Sequence, residues 1–350
     1  MYFASDNWAG AAPEILESIR EQAAGFADSY GVSPVDRAVE AQFNEVFERE
    51  VAVFFVGTGT AANALALSSV NKPGGAVFCH RESHIVDDEC GAVEFQTGGA
   101  RLFQLDGPAG KLDPDALESS LARFMPGFVH AGQPMAVSVT QATEAGGVYN
   151  LEELRALSAI ARTNDLPLHM DGARFANALV HLDVSPAEMT WRSGVDILSF
   201  GGTKNGCICA EALVFFDPAM AQNLPFMRKR AGHLFSKTRF FAAQFHAYLR
   251  GGLWLQLARQ ANEMAARLRA GLAASSNGRE AWPTDGNEIF AVLKKSSANH
   301  LRGAGAVFYN WPKPHAVNLH VGEDEVLVRL VTSFATTVEH VDGFIEHLGA

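Results

Sequence analysis

The chain has 350 residues, 48% hydrophobic and 19% charged, enough apolar material for one large core and a second, smaller one. Its net charge of −11, from 28 basic and 39 acidic residues with no basic run, disfavours a nucleic-acid or anionic-membrane surface and favours small-molecule chemistry. Met1 to Trp8 lack a basic stretch ahead of an apolar core, and no segment holds about 18 uninterrupted apolar residues, so a cytoplasmic location is expected.

After Ser5-Asp6-Asn7, Pro13 heads a helical pattern to about Ala27, and a second runs from Val35 to about Glu50. The apolar run Val51 to Val56 then breaks into Gly57-Thr-Gly-Thr-Ala-Ala-Asn63 and a helical continuation. A strand, a small-residue turn and a helix start leave free backbone N–H groups at the positive end of a helix dipole, a setting that can hold a phosphate. The turn lacks G-K-[ST] and is not G-x-G-x-x-G, so ATP and NAD are weak readings. Ala76 to His80 predicts a strand, His84 to Glu89 a polar segment, Ala100 to Leu105 another strand, and Leu112 to Ala116 opens a helix. Met135 to Thr140 is a strand entering the polar loop Gln141 to Gly146; Leu151 to about Thr163 is an amphipathic helix.

Leu166 to Met170 leads into Asp171-Gly-Ala-Arg174, and Val195 to Phe200 leads into Gly201-Gly-Thr-Lys-Asn-Gly206. The second run delivers Lys204 from the end of a buried strand into glycine-rich backbone. An amine partly withdrawn from water there is a usable nucleophile towards a carbonyl. Strands alternating with helices argue for a mostly parallel, helix-covered sheet, whose ligands sit beyond the carboxyl ends of the strands. Asp171, Lys204 and the Gly57 to Ala61 turn all fall at such ends. Beyond Asp217-Pro218 a long helix is expected from about Phe240 to Ala273, a polar break over Ser275 to Asp285, and then a smaller α+β unit with a strand at Glu325 to Val331 and a helix at about 337–348. The expected division is a large domain over 1–245 and a smaller one over 246–350.

The four cysteines do not form C-x-x-C pairs, and His80 and His84 have neither H-E-x-x-H nor an obvious third ligand, so no metal is expected. Singly, Lys204 reads as readily as an exposed loop lysine as it does as a nucleophile, and Asp171 as a capping or turn aspartate. Jointly, an amine for an aldehyde, a turn for a phosphate and a carboxylate for a basic ring nitrogen describe pyridoxal 5′-phosphate (PLP).

At these positions the chain resembles the low-specificity L-threonine aldolases, phenylserine aldolases included, of the fold-type-I PLP enzymes. The resemblance rests on Ser5-Asp6, Thr58-Gly-Thr-Ala-Ala-Asn63, Ser83-His84, His169-Met-Asp-Gly-Ala-Arg174, Ser199-Phe-Gly-Gly-Thr-Lys-Asn205 and Val328-Arg-Leu-Val-Thr-Ser333, and it covers nearly the whole chain. It implies an aspartate-aminotransferase-like α/β fold with a seven-stranded, mostly parallel sheet. It makes Lys204 the Schiff-base lysine and Asp171 the partner of the pyridine nitrogen. Gly59, Thr60 and Ala61 become the phosphate-holding turn, His84 the histidine stacked on the ring, and Arg174 the arginine beside the cofactor's phenolic oxygen and the substrate carboxylate. Ser5 and Arg329 match carboxylate-holding residues. Tyr30, as a substrate contact, and Lys237, as a cofactor contact in the Arg228 to Lys237 segment, resemble parts contributed across a subunit interface, which implies a homodimer or homotetramer with shared sites.

The implied reaction is retro-aldol cleavage of L-threonine, L-allo-threonine or a related β-hydroxy-α-amino acid to glycine and an aldehyde. The rivals on the same scaffold are serine hydroxymethyl transfer, β-elimination and racemisation. One departure stands out: where many relatives place a histidine at the β-hydroxyl, this chain reads Thr143-Glu144-Ala145, which leaves His84, Glu144 or a water as the general base.

Overall fold

The computed structural model describes residues 1–315 and 317–349; Ala350, the expected end of the smaller unit, lies outside them. Its eleven strands are β1 (Ala52–Val56), β2 (Gly75–His80), β3 (Arg101–Leu105), β4 (Gln133–Thr140), β5 (Leu168–Gly172), β6 (Ile197–Gly201), β7 (Glu211–Phe215), β8 (Gly278–Glu280), β9 (Glu288–Lys294), β10 (Tyr309–Asn310) and β11 (Glu325–Val331). The first seven form one sheet in the order β1-β7-β6-β5-β4-β2-β3, and the last four a second in the order β10-β11-β9-β8.

The large sheet is mostly parallel, as expected, with β7 alone reversed: it pairs antiparallel with both β6 and β1. Only nine residues join β6 to β7, too few for the crossover that a parallel return needs. The remaining strands point the same way, so β1, β2, β4, β5 and β6 all end on one edge. Their register brings Thr140 beside Asp171, and Asp171 beside Ser199. Reversed β7 starts on that edge, with Glu211 between Val56 of β1 and Gly201 of β6.

Two apolar layers hold the sheet. On one, Phe43, Phe47, Phe175, Phe200, Phe245 and Trp254 interlock, with Phe200 5.4 Å from both Phe43 and Phe175 and 5.6 Å from Trp254 between ring centroids. On the other lies the helix Gly59–Ser69, buried almost all round; Ala62, Ala64 and Ala66 let its backbone approach closely. In the second sheet β9 alternates cleanly. Ile289, Ala291 and Leu293 face a cluster with the helices Leu253–Ala274 and Val338–Gly349, whereas Phe290 and Val292 face Trp282 and Trp311. The chain start joins this layer: the Phe3 amide donates to Val307 O and Phe3 O accepts from the Val331 amide.

Some sequence boundaries move. The first two helices are Pro13–Gln22 and Pro34–Val46, shorter than their periodicity suggested. The expected long helix breaks into Arg239–Leu249 and Leu253–Ala274 because Gly251 and Gly252 take positive φ (63° and 72°), left-handed backbone that ends a helical run. The polar segment after His84 includes a single helical turn, His84–Asp87.

Gly201 fixes the spacing at the site's edge, since a Cβ there would lie 2.5 Å from Ala173 O and 2.8 Å from Ala173 Cα, both backbone. Gly201→Ala is therefore expected to cost ~1–3 kcal/mol of stability by overpacking. Urea unfolding should show a lower midpoint at unchanged slope; an unchanged midpoint would mean that the turn after β5 yields freely.

Candidate active site

Four parallel strand ends and the start of the reversed β7 deliver the site. A cavity of about 260 Å³ is lined by Gly59 and Thr60 after β1, His84 after β2, Asp171 from β5, Lys204 after β6, and Glu211 at the start of β7. A larger surface cleft, of about 730 Å³ beside Phe124 to Pro134, lies at the opposite ends of the strands, by the starts of β2 and β4, and gathers no comparable chemistry.

At one wall the helix Gly59–Ser69 begins. Thr58 caps it, its Oγ1 accepting from the Ala61 amide at 3.1 Å, and Thr58 O accepts from the Ala62 amide. The Gly59 and Thr60 amides, the first two of the helix, have no acceptor among the described residues, and a Cβ on Gly59 would meet nothing within 4 Å. Unspent donors, open space and a helix N-terminus form an anion cradle. Of the three residues expected to hold a phosphate, two therefore offer free amides, and Ala61's is already committed.

Opposite lies Asp171, buried and orientated by two donors: the Ala173 amide at 3.0 Å to Oδ1 and Asn63 Nδ2 at 2.8 Å to Oδ2. Asn63 Nδ2 also donates to Glu89 Oε1 at 2.8 Å, and His84 Nδ1 lies 2.9 Å from that same oxygen. Glu89 is thus the hub linking His84 to Asp171. Burial raises its pKa against the bonds from His84 and Asn63. The bond to Glu89 raises the pKa of His84 against the burial of the ring. Beneath Asp171, His169 is wedged between Ser138 Oγ (2.9 Å) and Ser199 Oγ (3.0 Å), and burial pushes its pKa down to about 4, so it stays neutral. Glu211 receives the Thr203 amide at 3.4 Å; burial lifts its carboxyl to about 7 despite Thr203 and Lys204.

Behind this wall runs a buried ionic cluster. Arg174 makes a two-point contact with Asp6 (2.8 and 3.2 Å) and lies 3.2 Å from Glu288, which is 3.6 Å from Arg329. Arg329 stacks on Trp311, its guanidinium carbon 3.9 Å from the ring centroid. Burial opposes ionisation of Asp6, yet Arg174 and Lys204 together hold its pKa below the ordinary range. Lys204 thus stands near the cluster as well as the cavity.

The remaining expected residues are less central. Ser5 caps the turn Asp6–Trp8, its Oγ accepting from the Asn7 amide at 3.2 Å, and so sets Asp6 in place. Glu144 lies half-buried after β4, close enough for its charge to act on His84 and Arg174. Tyr30 and Lys237 are exposed and do not line the cavity; the Tyr30 amide donates to Ser236 O at 2.9 Å. Their segment meets the phosphate turn from outside, with His233 Nδ1 3.5 Å from the Gly57 amide nitrogen.

Asn63, Glu89, Glu211 and Glu288 were not singled out from sequence. Asn63 and Glu89 lay in or near quoted motifs; Glu288 opens an apolar strand and reads as nothing more. The cavity's features fit PLP: an amine, an orientated buried carboxylate and two unspent amides in one space. The buried Asn63 Oδ1 and Glu89 Oε2, without hydrogen-bond partners among the described residues, are further polar atoms at this wall. Among the described residues no cluster of three metal-ligating side chains occurs, and no helix is long and apolar enough to cross a membrane.

Residues 2–296 match the family model described as beta-eliminating lyase. A low specificity L-threonine aldolase of Pseudomonas sp. (strain NCIMB 10558) is 40% identical over 311 residues, 88% of this chain and 89% of that protein. One from Pseudomonas aeruginosa is 38% identical over 340 residues, 97% and 94% of the two chains. The solved threonine aldolase of Leishmania major superposes with a TM-score of 0.91 at 29% identity, covering 99% of this chain and 98% of that one. A serine palmitoyltransferase structure with PLP shares the fold alone, at TM-score 0.70 and 16% identity over 100% and 86% of the chains.

Because Glu89 is what raises the pKa of His84, Glu89→Gln should lower it. Titration of the His84 ring proton by NMR reads this directly; a pKa unmoved by the substitution would show that the carboxylate does not support the imidazolium.

Proposed function

The chain belongs to the beta-eliminating lyase family, among its low-specificity L-threonine aldolases, and on that footing we propose that it cleaves L-threonine, L-allo-threonine or related β-hydroxy-α-amino acids, phenylserine included, to glycine and an aldehyde with PLP. The observation that carries this reading is the convergence of Lys204, Asp171 and the free Gly59 and Thr60 amides on one cavity. Bound there, PLP would supply a sink for the electron pair released at the substrate's α-carbon.

In this reading Lys204 is the amine that would hold the cofactor through its aldehyde carbon. Asp171, fixed by Asn63 and the Ala173 amide, keeps a proton on the pyridine nitrogen. The Gly59 and Thr60 amides and the helix dipole take the phosphate, with Lys237 and Tyr30 acting across a subunit interface. Arg329 and Arg174, beside Ser5, take the substrate's carboxylate; a planar fork on each side fixes its orientation and therefore which α-carbon bond is presented for cleavage. His84 is the group to which we assign the β-hydroxyl proton. Its Nδ1 is engaged by Glu89, which leaves Nε2 as the ring's free nitrogen, and the bond to Glu89 raises its pKa, which makes the ring a stronger base. Glu144 acts on it as a nearby charge.

A shared active site also accounts for exposed apolar side chains such as Phe95 (86% exposed), Phe226 (75%) and Tyr30 (50%), and we assign the protein a homodimeric or homotetrameric state.

The test is to purify the protein with PLP, record the absorbance of its lysine-bound form, and assay acetaldehyde and glycine from threonine. Turnover with both products is expected, and Lys204→Ala should lose turnover and absorbance together; residual aldolase activity in that variant would sink the assignment. Arg329→Ala should raise KM by about 10- to 150-fold, the equivalent of ~1.5–3 kcal/mol for a charge-assisted contact. Comparing the pH–rate profiles of His84→Asn and Glu144→Gln separates the bases: loss of the acidic limb only in the His84 variant is expected, and its loss only in the Glu144 variant would move the role.

A further inference from the structure

The two arginines proposed for the substrate's carboxylate already share a carboxylate of the protein. Glu288 opens β9 and sits diagonally across from Arg329 of β11, two residues from its directly paired partner Val331, so both side chains emerge on one face of the small sheet. The Glu288 side chain is 1% exposed, lies 3.2 Å from an Arg174 nitrogen and 3.6 Å from an Arg329 nitrogen, and neither of its oxygens has a hydrogen-bond donor of good geometry among the described residues. Asp6 is different: it is tied to Arg174 by two hydrogen bonds and receives a third from Asn287 Nδ2 at 3.2 Å. Arg329 is held against Trp311, and its buried Nε has no acceptor among the described residues.

The charges facing Glu288 come from every neighbouring element: Arg174 after β5, Arg329 on β11, Asp6 from the chain start, and Glu144 from the loop after β4, with Lys204 beyond Asp6. Arg269 of the helix Leu253–Ala274 donates to the Glu288 backbone carbonyl at 3.3 Å. Two arginines and the two carboxylates Asp6 and Glu288 balance each other. An entering carboxylate adds one uncompensated negative charge to a largely buried cluster, which is costly unless a group neutralises it. Asp6 is pinned by donors in its ionised form. Glu288, with two donor-free oxygens, is the group free to accept a proton.

Resting on the proposed amino-acid cleavage, we propose that Glu288 is a specificity-determining residue, an internal carboxylate that occupies the arginine pair in the free enzyme and yields it to the substrate's carboxylate by taking a proton from solvent. The proton returns to solvent when the ligand leaves, so no net proton is consumed. The low-dielectric setting agrees with this: burial raises the pKa of Glu288, Arg174 and Arg329 oppose the rise, and Glu144 and Asp6 add to it. A second anion beside it favours the neutral form further. Tight carboxylate binding then belongs to the low side of the pH range, and affinity falls as pH rises above the pKa of Glu288 in the free enzyme.

The probe is 3-hydroxybutanoate, threonine with hydrogen in place of its amine, because it lacks the amine whose own titration obscures the effect. In the PLP-loaded wild-type enzyme its competitive inhibition constant should rise about tenfold per pH unit above that pKa, the slope for one proton linked to binding. In Glu288→Gln, which cannot exchange a proton, the constant should be flat over the same range. Calorimetry on the wild type in two buffers of different ionisation enthalpy should show uptake of about one proton per site and needs no variant to fold. Parallel pH dependence in the two proteins, no proton uptake, or threonine cleavage that 3-hydroxybutanoate does not inhibit would each overturn the role of Glu288 while leaving the aldolase reading intact. Failure to cleave any β-hydroxy-α-amino acid would instead defeat the proposed function.

Discussion

The buried pair between Asp6 and Arg174 is the contact on which the arrangement depends. Arg174 lies two residues past the end of β5, the strand that carries Asp171, and Asp6 belongs to the segment whose backbone joins the small sheet at Val307 and Val331. Through Glu288 and Arg329 the same arginine reaches the small sheet again. One guanidinium therefore ties the edge of the large sheet, where Asp171 and Lys204 gather, to the layer that carries Glu288 and Arg329. Breaking such a pair leaves a buried charge without its partner, a loss of ~3–5 kcal/mol, larger than any exposed ion pair of this protein can offer.

The other constraint is topological. Five strands running the same way end together, and each loop can then carry a different function: an anion cradle after β1, a histidine after β2, an acidic turn after β4, a carboxylate at the end of β5 and a lysine after β6. Reversed β7 contributes Glu211 from the opposite direction, between the lysine loop and the cradle. The precision lies in the orientating partners: Asn63 for Asp171 and Glu89 for His84.

Much of this was legible in the sequence because the strand ends announce themselves. Apolar runs stopping at Gly57, Asp171 and Gly201 marked both the sheet and its functional edge, and the alternation of strands with helices gave a mostly parallel sheet. The reversed β7 was not visible, since a strand's direction depends on where its connection travels. Helix ends were overrun where apolar periodicity continued past the point at which Gly251 and Gly252 turn the backbone left-handed. Glu89 and Asn63 were hidden for a different reason: their meaning comes from a shared neighbour 108 residues from Asn63, which no local pattern records. Glu288 was hidden most thoroughly. A single glutamate at the head of Ile-Phe-Ala-Val-Leu reads as a solvated strand start until Arg174 and Arg329 are found on either side of it.

The account turns on Lys204 as the amine that carries PLP, and the direct measurement is chemical. Reduction of the PLP-loaded protein with borohydride, followed by digestion and mass spectrometry, should place the pyridoxyl label on the peptide containing Lys204. Recovery of the label on another lysine, such as Lys237, or on none, would contradict the assignment of this cavity as the catalytic site.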